Sequence, residues 1–222
     1  MKISFLPYDS QLFGYPVGKV EISDDWNEEE FLEETRFFRL TYIFSGKKQE
    51  INSKKILQMD NTVTFEKDLK DVGFDVVKYS KYTGDWDSRL LDLAFESGKY
   101  SRFKTDPRLS NGEFQNLYQA WIQRDFENKN LFVAGEFQGF ASFNLFENYG
   151  KISLIAVEEK RRGRGIGKNL LESIESYAFQ NQSSKLIIST QKSNSAAGQL
   201  YESLGYSLIN ETFVYHCWNP SV

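Results

Sequence analysis

Apolar and polar positions along the 222-residue chain follow two periods, and the changes between them mark out its elements. Residues 16–22 read as a strand entered from a turn at Phe13-Gly14-Tyr15-Pro16. Asn27 followed by Glu28, Glu29 and Glu30 is a helix start, with a capping side chain and acids in the first turn, and the helix is expected to run to about Phe38. Residues 40–44, closed by Gly46, are β-rich, and 61–65 and 74–79 are further strand candidates. Beyond a polar stretch at 80–85 the spacing turns helical. Leu90, Leu91, Leu93, Ala94 and Phe95 predict a helix stopped by Ser97-Gly98, and Phe114, Leu117, Tyr118, Trp121, Ile122 and Phe126 predict a second. Apolar runs at 131–137, 140–146 and 151–157, joined by tight turns, predict an antiparallel meander. A helix at 169–178, a strand at 186–190, a short helix at 196–204 stopped at Gly205, and a last strand at 206–218, interrupted near Asn210, complete the pattern.

The result is an α/β chain. The polar stretch at 80–85 divides it into a small N-terminal α/β domain, 1–84, and a larger unit, 85–222; the alternative is one domain with a long loop. Aromatic residues make up 16% of the chain, ample for a packed core, which argues against disorder. A net charge of -4 argues against general nucleic-acid binding, which needs a spread of basic surface. Cys217 is the sole cysteine, so neither an intrachain disulfide nor a thiolate-based zinc site can form, and no metal is expected. No stretch approaches the roughly 20 apolar residues of a membrane span, and the first residues carry no apolar signal-peptide region, so a cytoplasmic location is expected.

Against this acidic background, Lys160, Arg161, Arg162, Arg164 and Lys168 crowd into a glycine-bearing loop between a predicted strand and a predicted helix. Such a loop aims bare backbone N–H groups at an anion, the helix dipole assists, and glycine allows close approach. The spacing excludes two familiar solutions. A P-loop needs glycine five residues before Gly167, where Arg162 stands, and Ser or Thr after Lys168, where Asn169 stands. A dinucleotide fingerprint needs G-x-G-x-x-G, whereas these glycines run G-x-G-x-G. Alone, the arginines would read as a solvated basic turn.

The pattern Arg162-x-x-Gly165-x-Gly167 after an apolar strand resembles the pyrophosphate loop of the GCN5-related N-acetyltransferases, the GNAT superfamily. Residues 194–206, Asn-Ser-Ala-Ala-Gly-Gln-Leu-Tyr-Glu-Ser-Leu-Gly-Tyr, resemble the family's N-x-x-A-x-x-L-Y-x-x-L-G-F stretch. The resemblance implies a mixed, mostly antiparallel central sheet flanked by helices, and acetyl-CoA as co-substrate. Its diphosphate would rest on Arg162, Gly163, Arg164, Gly165, Ile166, Gly167 and Lys168. Its pantetheine arm would run along Ile155, Ala156 and Val157 like an added strand. Asn194 would bind the arm or a water, or serve as the N-cap of the helix that follows. Tyr201 would be the acid that protonates the departing thiolate, a role suited to a phenol that stays protonated at neutral pH.

More particularly, residues 8–19, 97–107 and 118–122 resemble the dTDP-fucosamine acetyltransferase-like enzymes, in which a small α/β domain related to a truncated GNAT unit precedes the full one. That implies direct acetyl transfer to the amine of a dTDP-linked amino-dideoxy sugar. Arg102 would meet a phosphate, Phe103 or Phe13 a ring, and Asp9 or Asp106 a hydroxyl or the amine. The same residues suit core packing (Phe13, Phe103) and a turn before Pro107 (Asp106). A protein N-terminus or another small amine as acceptor, and a non-catalytic acetyl-CoA-binding module, remain alternatives; a homodimer is compatible with each. The general base is not evident. His216, the only histidine, is expected to share a strand face with Val214 and to be structural.

Overall fold

The computed structural model describes residues 2–24, 26–70 and 77–219. Its elements in order are β1 (Ser4–Phe5), α1 (Pro7–Phe13), β2 (Val17–Ile22), α2 (Glu28–Glu34), β3 (Leu40–Ser45), β4 (Ile56–Asp68), α3 (Arg89–Ser97), α4 (Arg102–Thr105), α5 (Glu113–Glu127), β5 (Leu131–Ala134), β6 (Gly139–Leu145), β7 (Tyr149–Val157), α6 (Ile166–Gln180), β8 (Lys185–Gln191), α7 (Ser195–Ser203) and β9 (Ser207–Trp218). Among the described residues the strands form one nine-stranded mixed sheet in the order β1-β2-β3-β9-β4-β8-β7-β6-β5. Among the described residues only β2–β3 and β7–β8 pair in parallel.

Most predicted elements form where the pattern places them. Asn27 caps α2 by accepting from the N–H groups of Glu29 and Glu30, and Gly205 stops the chain after α7 at φ 84°. The differences have local causes. Helix α1 escapes the pattern because it is short and buries no residue. The strand expected over 131–137 ends at Ala134, since Gly135 and Phe137 turn the chain with positive φ. Of the strand expected over 74–79, residues 74–76 lie outside the described residues, and 77–79 form none; the Tyr79 N–H instead donates to Ser173 Oγ. The break expected near Asn210 is a β-bulge within a continuous β9, between the pairs Thr64–Asn210 and Phe65–Leu208.

Helices cover both faces. Buried residues of α3 and α5 pack with Leu131, Phe140, Leu154 and Ala156. Those of α6 pack on the other face with Phe143, Ile152, Ile188 and Phe65. Ile152 and Leu154 thus serve opposite faces although two apart, because a bulge at Ser153 shifts the β6–β7 register. The early strand β4 lies between β8 and β9, so the sheet is continuous across the expected division near residue 84.

A buried polar clamp ties β9 to α4. Asp106 accepts from His216 Nδ1 at 2.7 Å, Trp218 Nε1 at 2.9 Å and Arg108 Nε at 2.9 Å. Burial disfavours its charge, but the bonds from His216, Arg108 and Trp218 outweigh that and hold its carboxyl far below the usual range. Burial also pushes His216 down to about 4. The folded histidine is therefore neutral and donates from Nδ1, sharing a face with Val214 as the alternation predicts.

The unfolded histidine takes up a proton near pH 6.5, whereas the folded one does so only near 4. In that window the unfolded state binds more protons, so stability is expected to fall as pH drops from about 6.5 to 4. Denaturant titrations across that range check this, and His216→Gln is expected to flatten the slope. A second prediction concerns Gly98, where an added Cβ would lie 2.3 Å from the Tyr118 ring. Gly98→Ala is expected to destabilise the protein by about 1–3 kcal/mol, measured by chemical denaturation.

Candidate active site

Strands β7 and β8 pair only over residues 149–152 and 185–188. Beyond the Ser153 bulge they part, and residues 154–157 keep only their β6 partners. The parting opens a cavity of about 440 Å³. Its walls include Ile155, Ala156 and Val157 from β7, Gln191 and Asn194 from β8 and the turn after it, and Tyr201 from α7. Glu96, Tyr100 and Tyr118 close it from the α3–α5 side.

The glycine loop forms one end. Gly163 and Gly165 sit at φ 72° and 76°, conformations that an L side chain resists. Gly165 is the N-cap of α6 and supplies no side-chain bond, so the first-turn N–H groups of Ile166, Gly167 and Lys168 have no side-chain cap. A Cβ on Gly167 would come within 3.3 Å of Leu200, so glycine there allows α6 to pack closely against α7. Arg162 is not a free solvated charge. Its Nε donates to the Val157 carbonyl at 3.3 Å, and its guanidinium pairs with Glu96, which also holds Lys99 at 2.7 Å. It straps the loop to β7 and α3. Lys160, Arg161, Arg164 and Lys168 are exposed, with Arg161 beside Glu158 at 3.7 Å and Lys168 beside Glu172 at 3.6 Å, loose surface pairs that an anion can compete with.

Asn194 caps α7: its Oδ1 accepts from Ala197 N–H at 3.4 Å and its Nδ2 donates to Thr190 Oγ1 at 3.2 Å. The capping expected as an alternative therefore holds for a residue that also lines the cavity. Tyr201, one of the cavity walls, is 2% exposed and fixed edge-on against Phe65 at 5.6 Å. Burial pushes its phenol well above its usual range, so it stays protonated at any physiological pH.

The residues expected to meet an acceptor gather beside this cavity rather than in it. Arg102 lies over the rings of Tyr42 and Phe103, at 4.6 and 4.2 Å, and its Nε has no hydrogen-bond partner among the described residues. Asp9 is half-buried, faces Tyr42 and Arg102, and has its carboxyl raised by burial. Phe103 is 5% exposed and packs edge-on against Phe13, Tyr42 and Trp121, a core position, and Phe13 is half-buried beside it. Asp106 is committed to the clamp on His216. Tyr118 links the two centres, since it lines the cavity and faces Ser101 and Arg102. Glu96 and Gln191 carried no motif in the sequence, and Tyr118 was read only as part of a helix stripe and a family-like stretch; each reaches the site through packing between distant elements.

A profile of the acetyltransferase (GNAT) family matches residues 89–206. The Bacillus subtilis spore coat polysaccharide biosynthesis protein SpsD is 25% identical over 134 residues, 58% of this chain and 46% of SpsD. The uncharacterized N-acetyltransferase YobR of the same organism is 32% identical over 68 residues, 31% of this chain and 28% of YobR. The chain thus spans less than half the length of either relative. In fold it is similar to a GCN5-related N-acetyltransferase from Sphaerobacter thermophilus, with a TM-score of 0.56 at 14% identity over 85% of this chain and 64% of that one. With more than half of its length matched, including the parted strands, the glycine loop and Tyr201, the chain belongs to the acetyltransferase (GNAT) family.

Proposed function

We propose that the protein transfers the acetyl group of acetyl-CoA directly to the amine of a nucleotide-linked amino-dideoxy sugar, of the dTDP-linked kind. The observation that carries the transfer is the gap between β7 and β8, which runs from the glycine loop at the α6 N-terminus to Tyr201. Acetyl-CoA fits the donor set. N–H groups of residues 163–168 and the exposed Lys160, Arg161 and Lys168 suit its phosphates. The β8-facing backbone of residues 153–157, which has lost its strand partner, suits an extended amide-bearing arm.

Acetyl-CoA supplies the thioester. The Tyr201 phenol donates its proton to the leaving sulfur, a role its protonated state at neutral pH permits. Backbone N–H groups near Val157 offer donors to the carbonyl oxygen. Asp9 and Arg102 are the groups proposed to meet the sugar nucleotide, with Phe13 and Phe103 as the apolar wall and Asp106 holding α4 in place. The sugar reading is supported by this polar centre beside the cavity and by the resemblance of residues 8–19 and 97–107. The similarity to a protein named for polysaccharide biosynthesis also supports it.

Two measurements test this. With acetyl-CoA present, free thiol is expected on adding dTDP-4-amino-4,6-dideoxygalactose and not on adding peptides with free N-termini; release with peptides alone would move the reading to protein N-termini. Tyr201→Phe is expected to lower kcat about 100-fold with little change in acetyl-CoA affinity. An unchanged kcat would remove Tyr201 from the chemistry.

A further inference from the structure

Five carboxylates are buried among the described residues: Asp60, Asp106, Glu113, Asp125 and Glu175. Three have counter-ions. Asp106 is held by Arg108 and His216, Asp125 pairs with Arg124 at 2.9 Å, and Glu175 pairs with Lys67 at 2.6 Å. Glu113 accepts from the Tyr15 hydroxyl and the Asn111 N–H in the first turn of α5, where the helix dipole favours an anion. Asp60 has no direct ion pair among the described residues and does not sit at a helix start; the Arg102 charge in α4 and bonds from Thr62, Asn61 and Gln191 favour its ionised form, against burial. Asp60 is 9% exposed, and the Thr62 hydroxyl donates to it at 3.1 Å.

Its direction is a product of the backbone. Between the pairs Gln58–Tyr215 and Asp60–Val214 the β4–β9 register slips by one, with Met59 as the extra residue. Without the slip Asp60 would share a face with Gln58 and Tyr215. With it, Asp60 shares the face of Val214 and His216, toward α4 and α5. Two residues on, Thr62 pairs with Gln191, which lines the cavity. The Asp60 carboxylate faces Gln191 and the Asn61 N–H from the strands, Arg102 from α4 and Tyr118 from α5. Tyr118 is the second residue shared with the cavity wall. Asp60 therefore stands at the junction of the donor cavity and the Asp9–Arg102 centre.

We infer that Asp60 binds the ammonium group of the acceptor and takes its proton, which makes it the base that the motifs do not reveal. The inference rests on the acetyl-transfer reading above. No ion pair among the described residues occupies the Asp60 carboxylate, which accepts from Thr62, Gln191 and the Asn61 N–H and feels Arg102 only at a distance, so an ammonium can supply a direct counter-charge. One proton passes from the ammonium to Asp60, leaving a neutral amine. The amine nitrogen forms the C–N bond to the thioester carbonyl carbon, the C–S bond breaks, and the sulfur receives the Tyr201 proton. The nitrogen's second proton restores Tyr201 through solvent, and Asp60 releases its own, so one proton in all leaves with acetamide and free thiol. Burial raises the Asp60 carboxyl, a shift toward the range of an effective base.

The test uses the full chain with acetyl-CoA and dTDP-4-amino-4,6-dideoxygalactose, following thiol release against pH. Asp60→Asn is expected to lower kcat/KM for the amine about 100-fold while KM for acetyl-CoA stays within about twofold, and to abolish the acidic limb of the kcat/KM profile. Asp60→Glu should recover part of the activity. Thr62→Val, which removes a bond to the ionised carboxylate, is expected to move the acidic limb to higher pH. That shift carries the test alone should Asp60→Asn fail to fold. Wild-type turnover matched by Asp60→Asn, or an acidic limb unmoved by Thr62→Val, overturns the inference and leaves acetyl transfer standing. No thiol release by the wild type with the sugar or any peptide overturns both.

Discussion

The structure depends on two parallel strands that stop pairing halfway. Parallel neighbours need a crossover between them, and here it is α6. Because β7 and β8 part after Ile152 and Ile188, the crossover begins beside an opening rather than a closed ladder. The bulge at Ser153 shifts the register with β6 at the same place, so β7 keeps one partner while losing the other. One strand thus delivers an unpaired backbone edge, an uncapped helix N-terminus and a cavity within a few residues. Arg162 stabilises the arrangement by bonding to the Val157 carbonyl and to Glu96.

A second bulge does for β4 what Ser153 does for β7. The extra residue Met59 turns Asp60 toward α4 and α5, onto the face that carries His216. Those helices are held down by the clamp of Asp106 on His216, Trp218 and Arg108, which joins the short α4 to the end of β9. Breaking a buried pair of this kind costs about 3–5 kcal/mol, so the polar cluster serves position as much as charge. The N-terminal portion contributes here through contact, with Asp9 and Tyr42 meeting Arg102 from elements far away in the chain.

Much of the donor side was legible in residue order because its parts are local. Gly163, Gly165 and Gly167 are required by backbone geometry and close packing within one loop, and Asn194 and Tyr201 belong to one short helix with its cap. Family membership rests on the same stretch. Alternation correctly separated His216 from Tyr215 and Cys217, since β9 runs regularly there. It could not assign Ile152 and Leu154 to opposite faces, nor foresee where Asp60 points, because each assignment turns on one extra residue in a register set by a partner strand.

The sequence by itself determined most of the order of elements, the loop that can bind an anion, and the Asn194–Tyr201 stretch that resembles the acetyltransferase family. The first two follow from periodicity and from glycine's conformational freedom, the third from a resemblance carried by residues a few positions apart. The tertiary structure alone decided that Arg162 straps the loop to β7 and α3, that Asp106 is spent on a clamp, and that Tyr118, Gln191 and Asp60 meet at the edge of the cavity. Those outcomes depend on bulges and on contacts between residues far apart in the chain, such as Arg162 with Glu96 and Asp106 with His216. Such pairings carry no local signal, because the free energy that selects them arises only when distant elements pack.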